Sequence, residues 1–228
     1  MKIFNKYFVG ALLLGTTIGL TSCDLDEYNP SSETADAVFA TEQGMQGLVN
    51  QMYYNFRWKY FGREDPVLYF EGAGDIWANI PDKYTYGMQL TRFVDLQGDR
   101  GQVQGAWNRV YDNVNLANEV LEYLPTTQGL KQETHDTFEG EARFMRSYNY
   151  WWLVEWFGDI EMRTKPTSTP VYTAYRTDRK VIYDEVIIPD AEAATKLLPI
   201  QPYNGEVGRS TKKAAYALLA RVCLTRAQ

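Results

Sequence analysis

Gly140-Glu141-Ala142-Arg143-Phe144-Met145-Arg146-Ser147-Tyr148 continues through Asn149-Tyr150-Trp151-Trp152-Leu153-Val154-Glu155-Trp156 to Phe157-Gly158-Asp159-Ile160, and the reading of this stretch decides the fold. With Phe138 just upstream, residues 138, 142, 145, 148, 152 and 156 are apolar or aromatic at steps of three and four. That spacing places them on one helical face and predicts a helix from Thr134 to Trp156. Gly158 follows as a residue that ends a helix. Trp152 is expected in the core. Glu141 lies close in sequence to Arg143 and Arg146, and a structural ion network among these three is expected rather than an acid–base pair.

Outward from this helix the same period recurs. Upstream, Val103, Trp107, Val110, Tyr111, Val114, Ala117, Leu121 and Leu124 form one stripe, closed by Pro125. Trp107 is expected buried on it. Further upstream, Thr41 reads as an N-cap before Met45, Leu48, Val49, Met52, Tyr53 and Phe56. Downstream, a helical region spans Val181–Leu198, with Pro189 either kinking it or opening a new first turn. Ser210 or Thr211 caps a last helix in which Ala214, Ala215, Ala217 and Ala220 would admit a close neighbour. The helices fall into two pairs, so the expected fold is all-α, with tetratricopeptide-like stacked hairpins and long irregular aromatic-rich loops. No repeat of fixed period is present. The last helix runs to Gln228 without a C-cap, which reads as a chain truncated at its C-terminus.

Composition narrows the function classes. The formal net charge is −6 and the pI about 5.0, which disfavours nucleic acid, a ligand that needs clustered cations. Two cysteines give no disulfide framework, and Cys223 is expected to be a small buried apolar residue. His135 is the single histidine, too little for a triad or a zinc cluster. No phosphate-cradling glycine loop occurs. No catalytic residue, cofactor or metal site is expected. Aromatic residues make up 14% of the chain, with 17 Tyr and 6 Trp. Rings of this kind either fill a helical core or stack on the apolar faces of sugars.

The N-terminus carries its own signal. Lys2 and Lys6 precede an uncharged run from Tyr7 to Leu20, shorter than the roughly 20 apolar residues of a spanning helix. Leu20-Thr21-Ser22-Cys23 resembles the lipobox of bacterial lipoproteins. Residues 1–22 then read as a signal peptide, Cys23 as the lipidated residue, and 23–40 as a tether before a helical domain over 41–228. The acidic Asp24, Asp26 and Glu27 resemble the export signal of surface lipoproteins in Bacteroidetes.

Between Arg57 and Gln102 the helical period is lost, and glycines and prolines punctuate the chain. Glu71-Gly72-Ala73-Gly74-Asp75-Ile76-Trp77-Ala78-Asn79 combines an exposed backbone, one large ring, and the short polar side chains Asp75 and Asn79. Tyr84 and Tyr86 follow; Arg57, Trp58 and Tyr60 form a weaker cluster. Trp77 reads equally as a core plug or as a stacking platform.

Four segments together resemble the SusD/RagB nutrient-binding lipoproteins. Trp107-Asn108-Arg109-Val110-Tyr111 with Ala117-Asn118 is one. The opening stretch from Gly140 to Ile160 is the most specific. Tyr183–Pro199 and Gly208-Arg209-Ser210-Thr211-Lys212-Lys213-Ala214-Ala215 to Leu224 complete the set. Glu161-Met162, Pro189 and Cys223 depart from the family pattern. The resemblance implies an outer-membrane, lipid-anchored protein facing the cell exterior. Such a protein captures an oligosaccharide and delivers it to a TonB-dependent transporter, without catalysis. It also implies an N-terminal fragment, since family members are longer, and a contribution of the loop after the first helix to the ligand face, where the residues themselves give the ligand-binding candidates Arg57, Trp58, Asp75, Trp77, Asn79, Tyr84 and Tyr86. The competing readings are a helical-repeat adaptor that binds only protein, and capture of peptides rather than glycans.

Overall fold

The computed structural model describes residues 34–57, 74, 89, 91–99, 101–167 and 169–228. Its first helix, α1, spans Ala35–Phe39 and hands over at once to α2, Glu42–Asn55. Thr41 is the joint. Its hydroxyl donates to the Val38 carbonyl at 2.8 Å and accepts from the Gly44 N–H at 3.1 Å, so one side chain closes α1 and N-caps α2. The tether expected over 23–40 therefore overlaps the folded part. The Thr127 hydroxyl donates to the Phe39 carbonyl at 2.8 Å, and the rings of Phe39 and Tyr123 lie 5.1 Å apart. Residues 35–228 form one compact unit.

α3 spans Gly101–Tyr123 and ends in a 3₁₀ turn, Leu124–Thr126, that holds Pro125. α4, Gln132–Phe157, contains the decisive stretch. It stops at Gly158, whose φ of 70° and ψ of −127° are open only to a residue without Cβ. A loop over 158–178 leads to α5, Arg179–Ile182, then a π-turn, Tyr183–Ile187, then α6, Ile188–Leu197. Pro189 sits in the first turn of α6, the second of its two expected roles. A proline lacks an N–H and crowds the preceding turn, and the widened π-turn just before it absorbs that conflict. α7, Lys212–Arg226, is N-capped by the Thr211 hydroxyl. Among the described residues the chain is helical, with only two isolated bridges, Thr41 to Gln128 and Ile160 to Thr177.

The helices stack in chain order: α2 on α3, α3 on α4, α4 on α6, α6 on α7. α4 lies centrally and buries residues all around its circumference. One core joins Val110 and Val114 to Trp152, Leu153, Ile182, Val186 and Leu218. A second joins Met45, Val49 and Met52 to Ala117, Val120, Phe138 and Met145. Where α4 meets the end of α6, a Cβ on Gly140 would stand 3.0 Å from Leu197 and Leu198, so the close approach needs glycine.

Four expectations are corrected. Trp152 is buried, but Trp107 is only half-buried, edge-on to Phe157 at 5.0 Å, and Trp156 is 37% exposed, stacked on Trp152 at 4.3 Å. Cys223 is exposed. Of the α7 alanines only Ala215 is buried; Ala217 and Ala220 face outward with Tyr216 and Leu224. One face of α7 packs on α6, and Cys223 lies on the other. Glu141 does not pair with Arg143 or Arg146: positions two and five apart diverge around a helix.

Candidate functional site

The charged residues of α4 are structural, and they fix the walls of the site. Glu141 is fully buried and accepts from the Arg209 guanidinium at 3.0 and 2.8 Å. Arg209 also donates to Asn50 at 2.6 Å and lies over the rings of Tyr53 and Tyr203, 5.1 and 5.0 Å from their centres. Burial pushes the Glu141 carboxyl up to about 7 while Arg209 pulls it down. On another side of α4, Arg146 donates to Asp190 at 2.6 and 3.0 Å, and Arg143 reaches the same carboxylate at 2.9 Å. The third Arg146 nitrogen donates to Asn118 at 2.9 Å. Asn118 in turn donates to the carbonyls of Arg163 and Lys165 at 3.0 and 3.3 Å. This chain of bonds ties α3, α4, α6 and the following loop together.

The same loop closes a cleft of about 710 Å³. Gln51, Tyr54 and Asn55 line it from α2; Tyr111, Asp112, Asn115 and Asn118 from α3; Glu161, Arg163, Thr167 and Val171 from the loop. The loop is held against the helices at several points. The Tyr111 hydroxyl donates to the Glu161 carbonyl at 2.7 Å, and the Tyr150 hydroxyl to the Arg163 carbonyl at 2.6 Å. The Thr167 N–H donates to Asn115 at 2.7 Å. Burial raises the Tyr111 and Tyr150 hydroxyls above their ordinary value, so both remain donors. Tyr54 is 54% exposed at the cleft. Gln51 donates to Asn55 at 3.0 Å and Asn115 to Glu119 at 2.7 Å, so the wall is built of polar side chains bonded to one another beside the accessible ring of Tyr54.

Of the residues proposed from sequence, Trp58, Asp75, Trp77, Asn79, Tyr84 and Tyr86 lie outside the described residues, as does Cys23. Arg57 is exposed just past the end of α2, one turn beyond Tyr54. The cleft residues Gln51, Tyr54, Asp112 and Asn115 were missed. Their only sequence signal is to fall off the apolar stripes of α2 and α3, as any solvated residue would.

A family model described as "Starch-binding associating with outer membrane" matches residues 25–224. The chain belongs to the SusD-like family. Curated SusD-like relatives include one from Bacteroides ovatus, 29% identical over 99% of this chain and 40% of its own length. Another is SusD-like protein P2 of Formosa agariphila, 27% identical over 99% of this chain and 44% of its own. Among solved structures, a SusD superfamily protein from Parabacteroides distasonis superposes with a TM-score of 0.68 at 25% identity, covering 81% of this chain and 40% of that one. A laminarin-binding SusD-like protein gives a TM-score of 0.69 at 21% identity over 81% and 40%. This SusD-like chain thus spans about two-fifths of the length of the relatives it matches, and its helical stack is the tetratricopeptide-like fold of the family.

Proposed function

We propose that this SusD-like chain is the N-terminal part of a cell-surface lipoprotein that captures an oligosaccharide by binding, without catalysis, and passes it to a TonB-dependent outer-membrane transporter. The observation that carries this reading is the family match over residues 25–224, whose description names starch binding and association with the outer membrane. Further support comes from similar folds described as laminarin-binding and as a surface glycan-binding protein of Bacteroides uniformis. Within this chain the polar cleft beside Tyr54 supplies hydrogen-bonding groups of the required kind. Asp75, Trp77 and Asn79, with Tyr84, Tyr86, Arg57 and Trp58, are proposed to complete the sugar-facing side, and Cys23 to carry the lipid.

The test is a pair of variants in the full-length lipoprotein, Tyr54→Ala and Trp77→Ala, titrated with its cognate oligosaccharide. Loss of one stacking contact of about 2 kcal/mol lowers affinity roughly thirtyfold. Both variants are expected to lose affinity at a nearly unchanged melting temperature. Unaltered affinity in both would remove the ligand from this face.

A further inference from the structure

We infer that the outer face of α7 is the seam on which the rest of the longer protein docks, through a helix that follows Gln228 and carries an apolar stripe of its own; this rests on the reading above that the chain is an N-terminal part. α7 has two apolar stripes. Ala215, Leu218 and Val222 are buried on one side, and α6 packs there. On the opposite side Tyr216, Ala217, Ala220, Cys223 and Leu224 follow one another at helical spacing, continued by Ala227 at the C-cap, and all are exposed. Leu224 is 71% exposed. The polar residues of the same span, Arg221, Thr225 and Arg226, fall on the flanks, and each has a partner there. Arg221 lies over the Trp151 ring at 5.4 Å, the Thr225 hydroxyl accepts from the Trp151 indole N–H at 3.0 Å, and Arg226 donates to Asp184 at 2.9 and 2.8 Å. These bonds tie the last turns of α7 to α4 and to the π-turn, so the bare stripe belongs to a helix fixed along its length.

A helix with one apolar stripe lies at a surface, whereas one that is apolar on opposite sides is packed between neighbours. The other end of the stack gives the contrast. There α2 turns Gln43, Asn50 and Gln51 outward, with Tyr54 as its one exposed large ring. A polar outer face of that kind is what ends a helical stack in water, and α7 has none. The occupant follows from the order of packing. α2, α3, α4, α6 and α7 each pack on the next in chain order, and the chain spans about two-fifths of the curated relatives it matches. A chain running on past Gln228 leaves from the end of α7, and the same order sets its next helix on the free face. Ala217 and Ala220 admit a close approach at the middle of the stripe, and Tyr216 and Leu224 supply the large groups to be covered.

Cys223 stands within the stripe and serves as its probe. The experiment is thiol labelling of the isolated full-length lipoprotein with iodoacetamide, with and without denaturant, read by mass spectrometry on the tryptic peptide from Val222 to Arg226. Cys223 is expected to label at least about tenfold more slowly in the native protein than in the unfolded one. Equal rates would leave the face bare and overturn the inference. Protection that disappears on dilution, together with a fall in mass from dimer to monomer, would assign the face to a second copy and overturn it as well. As an independent readout, Ala220→Arg in the full-length protein is expected to lower the melting temperature or block folding, while Gln43→Arg on the polar face of α2 leaves it nearly unchanged. Equal tolerance of both would overturn the seam. The intact mass of the lipoprotein tells whether the chain runs past Gln228. A protein ending there would overturn the reading above and this inference together, whereas a longer one with a reactive Cys223 overturns the inference alone.

Discussion

At the scale of single residues, Glu141 shows how a charge in a helical core is held and what it costs. The carboxylate is sealed from water and satisfied by two Arg209 nitrogens, yet burial still holds its proton affinity above the ordinary value, up to about 7. The folded value therefore lies above the unfolded one. Between about pH 4.5 and pH 7 the native state keeps a proton that the unfolded chain has released. Stability from this group is fully present below that window and is lost as pH rises through it, by an amount on the order of 3 kcal/mol. Chemical denaturation across pH 4.5–7 should show a falling stability in the parent, and Glu141→Gln should flatten the slope. Arg209→Met strands the carboxylate, and is expected to steepen the slope and cost about 3–5 kcal/mol. A parent curve that rises across the window would refute this account. Sequence spacing pointed to Glu141 as an ion-pair residue but to the wrong partner. Arg209 is 68 positions away, and only packing of the 199–211 segment over α2 and α4 brings it there.

At the scale of elements, the joint between α4 and α6 is the most heavily tied. Asp190 receives both Arg143 and Arg146, and the Ser147 hydroxyl donates to the Ile187 carbonyl at 2.7 Å. Asp190 is 2% exposed, whereas Arg143 is 31% exposed, so part of the attraction is screened. Asp190→Ala leaves two guanidinium groups facing a vacated site and is expected to cost about 2–3 kcal/mol, a drop of roughly 5–10 °C in melting temperature. Pro189→Ala, one residue away, should shift the melt far less, because the π-turn before it already accommodates the missing N–H. Similar shifts for both would show that the π-turn, not the ion cluster, holds the joint. The helices themselves were legible from their periods to within a few residues. Trp107 and Cys223 were misplaced because a period identifies a stripe but not how completely a neighbour covers it. Trp107 is half-buried, edge-on to Phe157, and Cys223 lies on the α7 face opposite α6.

At the scale of the whole molecule, the lipid anchor proposed at Cys23 would set where the protein works. Leu20-Thr21-Ser22-Cys23 motivates a direct check: Cys23→Ala is expected to abolish labelling by fatty acid and to release the protein from the membrane fraction. Retention in the membrane would refute the lipid anchor. The outer face of α7 presents Tyr216, Ala217, Ala220, Cys223 and Leu224 to solvent, in a chain that spans two-fifths of its relatives' length. By itself the sequence determined the helices, the cap at Thr41, a last cap at Ser210 or Thr211, the stop at Gly158 and the family, because these depend on neighbours within a turn or on a local pattern. Tertiary structure alone decided which charges meet and where a cleft opens. Glu141 with Arg209, Arg146 with Asp190 and Asn118, and Tyr54 and Asn115 on one cleft are each brought together by helix packing. Those pairings depend on which faces of separate helices meet, and no spacing along one helix encodes that.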